Sequence, residues 1–274
     1  MTSLNSLSPQ PLSPSSRARF RDLLASEWIK TRSLRSTWWT ITLTVVFVIG
    51  SSAVATLADG TYASGRAVFL PYVCYPPAGY WTLALVSVAG GALSVVSEYG
   101  TGLIRVTMVA VPARGSVVLA KAAVVAALWT VVGAVSSTGS FVTSQAVLHA
   151  RHAAVPLTEP GVARAAVASA LLAPVCALVG LGFGVLLRYA AATMVTSVFT
   201  LLMLPPMFSE GERWSAGVNH AMVLSAWKRL IQNWQPDPDS LGHTATVSGS
   251  WAVYAVWPLV AVALAVVVVR RRDV

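Results

Sequence analysis

Charge is what this sequence has least of. Asp, Glu, Lys and Arg make up 11% of its 274 residues, where a soluble domain carries about 25%. Hydrophobic residues make up 55%, and the mean hydropathy is +0.68. Such a chain is neither disordered nor an ordinary soluble enzyme. Cysteine is nearly missing, with Cys74 and Cys176 alone. One falls in a loop and the other deep in an apolar run. Their depths do not match, so no disulfide is expected, and both read as small hydrophobes. No G-x-x-x-x-G-K-[ST] run occurs, so the chain offers no backbone cradle for a nucleotide phosphate. H-E-x-x-H is missing too, and with it the usual zinc-protease helix. His149 and His152 are spaced i, i+3 but have no third ligand nearby, and they read as polar residues at the edge of a span. GLGFG at 180–184 has neither the serine of a nucleophile elbow nor the preceding strand of a dinucleotide fold. No catalytic, cofactor or metal site is expected in this chain.

Long uncharged runs are plentiful. Six stretches of 20 or more residues hold no Asp, Glu, Lys or Arg: 36–58, 67–97, 122–150, 165–187, 189–209 and 240–269. A helix needs about 20 apolar residues to cross the hydrocarbon core, and a charge at its centre costs about 3 kcal/mol. The runs are too long, and alternate too little, for β-barrel strands. The expected fold is an all-α polytopic membrane protein with six spans. They fall at about 38–58, 78–97, 119–147, 165–187, 190–208 and 250–269. Trp38, Trp39, Tyr80, Trp81, Trp251 and Trp257 stand near span ends, where aromatic rings favour the headgroup level. Gly90, Gly91, Gly180 and Gly184 lie within spans and suit close helix packing.

The net charge is +9. In a soluble protein that would suggest nucleic acid, but no basic cluster stands beside a soluble module here, so no nucleic-acid partner is expected. With the N-terminus inside, the inner segments hold 13 of the 19 Lys and Arg residues and the outer segments hold 6. The acids split four and six, so the whole net charge lies on one face. The positive-inside rule then places both termini in the cytoplasm.

Residues 1–16 are Ser- and Pro-rich and read as a disordered cytoplasmic tail. Residues 17–35 read as an amphipathic helix on the inner leaflet. Phe20, Leu23, Leu24, Trp28, Thr31 and Leu34 share one face. Glu27 falls within that stripe and pairs with Lys30, with Thr31 or with another subunit. The plainer reading of the segment is a positive-inside anchor. The inner loop 98–118 holds an apolar stretch between charged markers, opened by a turn at Gly100 and Gly102 and stopped by Pro112. It reads as a docking surface or as a segment lying on lipid. Glu98 either bonds the turn at Gly100–Thr101 or pairs with Arg105 or Arg114. In the outer loop 209–249, Val223, Trp227, Leu230, Ile231 and Trp234 form a helical stripe. A short helix at about 220–235, on or dipping into the outer leaflet, is expected there.

Two stretches carry a family resemblance. SEWIKTRSLRSTWW at 26–39 looks like the elbow helix of actinobacterial members of the ABC-2 type transporter permeases. SEYGTGLIRVTMVAVPARGSVVLAK at 97–121 is similar to that family's pattern of Glu, Gly-Thr, an apolar run, Pro, Arg and Lys. Here these are Glu98, Gly100, Thr101, Gly102, Pro112, Arg114 and Lys121. The order of spans and loops over 17–274 also resembles the single six-span permease domain of that family. The specific motifs cover about forty residues; the last three spans match by architecture.

The resemblance implies a coupling helix in 98–118, including Leu103 and Ile104, seated in a groove of a separate ATP-binding cassette ATPase. It implies a connecting helix at 17–35 that brackets this contact, and an outer helix that caps the exit path. Two copies of the ATPase, with ATP and Mg bound there, and a second permease subunit are the expected partners, together with the lipid bilayer. The expected function is the transmembrane subunit of an ATP-driven exporter in the cytoplasmic membrane, moving an amphipathic or hydrophobic substrate such as a drug, natural product, lipid or peptide. The alternative is an accessory or regulatory membrane subunit that moves no cargo. A membrane-embedded enzyme is a third reading, weakened by the lack of facing catalytic groups in the spans.

Overall fold

A computed structural model of the protein describes residues 19–59, 69–102, 114–233 and 243–271. Every regular element among the described residues is a helix. The helices are α1 (Phe20–Ser33), α2 (Arg35–Ala58), α3 (Pro71–Cys74), α4 (Pro77–Thr101), α5 (Arg114–Ala150), α6 (Val162–Leu187), α7 (Ala190–Val198), α8 (Arg213–His220), α9 (Val223–Ile231) and α10 (Val247–Arg271). The tail 1–16 lies outside the described residues.

Among the described residues five helices are long and apolar enough to cross a bilayer: α2, α4, α5, α6 and α10. This is the make-up of a multi-pass membrane protein. The run expected as the fifth of six spans takes another form. Its nine α-helical residues, Ala190–Val198, pass into a five-residue π-helix, Phe199–Met203. Pro205 and Pro206 then open a single 3₁₀ turn, Pro205–Met207. A proline lacks the amide that would continue the ladder. At 1.5 Å per residue the 14 residues from Ala190 to Met203 reach about 21 Å, short of the roughly 30 Å hydrocarbon core.

Helix α5 runs for 37 residues. It is the longest element and would reach about 55 Å. Helices α6 and α10 run parallel: Tyr254 donates to the carbonyl of Ala168, and Gly182 lies against Ala261. The chain between Leu187 and Val247 therefore returns along the bundle. One end of the bundle gathers α1, the starts of α2 and α5, and the ends of α4, α6 and α10. The other end gathers α3, α8 and α9.

Helices α4 and α6 meet at backbone distance. A Cβ on Gly91 would overlap the Ala177 carbonyl, and one on Gly180 would overlap the carbonyl of Val88. A Cβ on Gly184 would stand 3.0 Å from the carbonyl of Ala92. Gly90 faces the indole of Trp129 on α5 instead. Small residues let helices approach where lipid supplies no hydrophobic drive between them.

Helix α9, expected on or dipping into the outer leaflet, turns its apolar stripe into the bundle. Val223, Trp227, Leu230 and Ile231 are fully buried in the main core. The Trp227 ring stacks on Tyr80 at 5.4 Å, and its Nε1 donates to the Ser169 hydroxyl at 3.2 Å. The opposite side of α9 is polar, with Lys228 over the Trp81 ring and Arg229 donating to the carbonyl of Ala245. Trp234 lies outside the described residues. Arg164, at the start of α6, caps the end of α9 through the carbonyls of Leu230 and Gln232. Arg151 caps the end of α2 in the same way, with its closest bond 3.0 Å to the carbonyl of Leu57. Both cations answer orphan carbonyls at helix C-termini.

Candidate functional site

The candidate site lies where α1, α4 and α5 meet. Each contributes charge at a point buried from solvent. Helix α1 starts with a reciprocal cap: the Arg19 amide donates to Asp22 Oδ2 at 3.0 Å. One turn on, Leu23 packs with Val117 and Ala120 of α5, and Leu24 joins the edge. That contact turns the Leu23–Glu27 face of α1 inward. Glu27 is 4% exposed, although it interrupts the apolar stripe of the sequence. Phe20 and Trp28, placed on that stripe, are 45% and 43% exposed.

Two carboxylates and two ammonium groups meet there. Lys121 Nζ lies 2.5 Å from Glu27 Oε2 and 2.9 Å from Glu98 Oε1. Lys30 Nζ lies 2.7 Å from Glu27 Oε1 and 2.9 Å from Glu98 Oε1. Lys121 also donates to the carbonyl of Ser94 at 3.1 Å. Glu98 and Lys121 are buried, while the Lys30 side chain is 41% exposed. The four charges sum to zero, so the cluster satisfies itself. A buried carboxylate or ammonium alone would cost several kcal/mol.

The geometry sets the protonation on α1. Burial pushes the Glu27 carboxyl up, but the charge and hydrogen bond of Lys121, with those of Lys30, outweigh it and hold it below its ordinary value. Burial pulls the Lys30 ammonium down, but hydrogen bonds and charge from Glu27 and Glu98 hold it above its ordinary value. Both shifts favour the charged forms of Glu27 and Lys30, and the cluster is a fastener rather than an acid–base pair.

Other residues singled out in the sequence fall around this cluster. Gly102 ends α4 in the left-handed conformation, φ +71°, with its amide on the Tyr99 carbonyl. Glycine takes that geometry without a Cβ clash. Gly100 stays inside α4, and Thr101 Oγ1 donates to the carbonyl of Ser97. Leu103, Ile104, Arg105 and Pro112 lie outside the described residues. Arg114 begins α5. Of the partners expected for Glu98, Arg105 and the Arg114 side chain lie outside the described residues; the pairs described are with Lys121 and Lys30. Lys30 is the local partner expected for Glu27, and the Thr31 hydroxyl bonds the Glu27 carbonyl rather than its carboxylate. The sequence reading missed the link from Lys121 to Glu27. Its one signal was scarcity: the chain has three lysines, and Lys121 is alone inside a long apolar helix, as Glu98 is in α4.

Among the described residues no group of His, Cys, Asp and Glu is arranged to hold a metal ion. Both cysteines are free and buried. Compared with protein-family models and with curated proteins, the chain matches none.

Proposed function

We propose that the chain is the permease subunit of an ATP-driven exporter of the ABC-2 type, worked by a separate ATPase. The carrying observation is the Glu27–Lys30–Glu98–Lys121 cluster. It fastens α1 to the two spans that lead into and out of segment 103–113. Glu98 stands just before that segment and Lys121 just after it. A push on the segment from a partner protein would move α4, α5 and α1 together, because separating them strips a buried ion of its counter-charge. Rigid-body motion of this kind is how transporters convert a partner's nucleotide cycle into a change of access.

The cluster end is the cytoplasmic end in this reading. Arg19, Arg21, Lys30, Arg32, Arg35, Lys121, Arg188, Arg270 and Arg271 gather there, against Arg151, Arg164, Arg213, Lys228 and Arg229 at the other end. That bias is the one the positive-inside rule expects, and it supports a reading with both termini in the cytoplasm. The broken segment 190–207 is the fifth of six crossings. Its π-turn and prolines give a seam that repacks at less cost than a regular helix. Helices α2 and α10 carry the least-buried apolar surfaces of the five long helices. These are the faces for lipid and for a second permease. The cargo would be amphipathic or hydrophobic, since the spans offer it apolar walls.

Purification in mild detergent from native membranes tests the reading. A stoichiometric ATP-binding protein should co-purify and be lost when Leu103 and Ile104 are both replaced by Asp. Recovery of the chain without an ATPase in several detergents would sink the proposal. An ATPase that binds but supports no ATP-dependent transport in vesicles would turn the reading to an accessory subunit.

A further inference from the structure

Arg188 sits at the break between α6 and α7, at the same end of the bundle as the ion cluster. Its backbone is left-handed, φ +62°, a conformation that side chains other than glycine rarely adopt. Its amide closes α6 on the carbonyl of Gly184. Glycine usually fills this role, yet a long cation stands there. The guanidinium lies over the Tyr99 ring, 5.1 Å from its centre. Its Nε and Nη2 are shielded from solvent and have no hydrogen-bond acceptor among the described residues. A guanidinium carries five N–H donors and stays charged. Among the described residues, Glu98, the neighbour of Tyr99 in the chain, is taken up by Lys30 and Lys121. Among the described residues no carboxylate forms an ion pair with Arg188.

Beside it opens a cavity of about 530 Å³, lined by Leu93, Val96, Tyr99, Gly100, Arg188 and Tyr189. The first turn of α7 adds free backbone amides at the same mouth, where the helix dipole favours an anion. Above the mouth, Leu93, Val195 and Phe199 are exposed and apolar. One cation at the membrane edge with an apolar strip rising from it suits a ligand with an anionic head and hydrocarbon tails.

We infer that this cavity binds the phosphate headgroup of an anionic phospholipid, with Arg188 as its counter-ion and the acyl chains along α4 and α7. The inference rests on the multi-pass membrane architecture and not on the transport reading. Basic pockets between membrane helices recognise lipid headgroups by this chemistry.

The full-length protein in mild detergent serves for the test. The probes are short-chain phosphatidylglycerol, the matching phosphatidylcholine, and inorganic phosphate. Binding is read by native mass spectrometry and by thermal shift. Phosphatidylglycerol should bind about tenfold more tightly than either of the others. Arg188→Gln should abolish that preference, and Arg271→Gln, at an exposed position, should keep it. Ser97→Trp fills the mouth while keeping the arginine, and should also abolish the preference; it carries the test if Arg188→Gln fails to fold. Equal binding of the two lipids would overturn the inference. So would Arg188→Gln and Ser97→Trp both binding like the parent protein. Inorganic phosphate competing as well as the lipid would mark a site for a free anion and overturn the lipid assignment. Loss of lipid preference in a sample where a co-purified protein's carboxylate crosslinks to this mouth would overturn it in favour of a protein contact.

Discussion

Lys121 Nζ lies 2.5 Å from Glu27 Oε2, across 94 positions of sequence. The pair joins a short helix outside the spans to the longest helix within them. Glu98 holds the same lysine from α4, so one ammonium group closes a three-helix junction. Both carboxylates and the lysine are buried. In such surroundings the removal of one member matters more than the net strength of the pair, because the survivors keep their desolvation cost.

Lys121→Met should therefore be the most damaging change in the cluster. It leaves two buried carboxylates facing each other with one half-exposed lysine between them. The expected loss is about 3–5 kcal/mol. Lys30→Met removes a side chain that is 41% exposed, and should cost about 1 kcal/mol or less. Thermal unfolding of both variants in the same detergent checks the order. A Lys30→Met loss equal to that of Lys121→Met would show that burial does not set the energetics here.

The junction should also give way in acid. Glu27 has its carboxyl held below the ordinary value, 4.5. A group depressed on folding contributes stability above its unfolded value, and the contribution is lost as pH falls through the folded value. Lys30 is raised above its ordinary 10.5. Its contribution is complete below 10.5 and is lost only as pH rises through the higher folded value. The fastening is thus at full strength between about 4.5 and 10.5. Melting temperatures across pH 3–8 should fall on the acid side below 4.5, and Glu27→Gln should flatten that fall. An acid limb unchanged in Glu27→Gln would remove Glu27 from the account.

The physical reason for what the sequence disclosed runs through these residues. Uncharged runs showed the five long helices because desolvation leaves no other use for 20 apolar residues in a row. The stripe Val223, Trp227, Leu230 and Ile231 showed a helix, since period 3.6 reports a face. It did not show what the face meets, which is Tyr80 and Ser169. Glu98 drew attention as an acid closing a long uncharged run. Local reading offered it the Gly100–Thr101 turn, Arg105 or Arg114; Lys121 and Lys30, 23 and 68 positions away, are brought to it by tertiary packing. Nothing in the run 189–209 distinguished a straight span from a broken one except Pro205 and Pro206. Arg188 read as one more inner charge; its left-handed backbone and missing acceptors are properties of the fold.

The contact between α4 and α6 separates two kinds of glycine. At Gly91 a Cβ would overlap the Ala177 carbonyl, which is backbone and cannot step aside. Gly91→Ala should cost about 1–3 kcal/mol, as overpacking of a tight interior does. Gly50 lies within α2 with nothing inside 4 Å of its would-be Cβ. Gly50→Ala should stabilise by about 1 kcal/mol, from helix propensity alone. Opposite shifts in melting temperature are expected. If both variants moved the same way, the close approach of α4 to α6 would be in doubt.

Trp227 offers the last test, because it decides whether α9 belongs to the core or to a surface. Its side chain is fully buried and touches α4 through Tyr80 and α6 through Ser169. Trp227→Ala should cost about 3–5 kcal/mol, the range for a large aromatic removed from a packed interior. Trp227→Phe keeps an aromatic ring for the stack but drops the indole N–H. It should cost about 1 kcal/mol, the net worth of one ordinary hydrogen bond. A helix resting on the outer leaflet would behave differently: Trp227→Ala would shift lipid contact and leave the melting temperature almost unmoved. Collisional quenching separates the cases as well. With every other parameter fixed, Trp227→Phe should leave the fraction of tryptophan fluorescence quenched by lipid-borne bromine unchanged or higher, because it removes an emitter that lipid cannot reach.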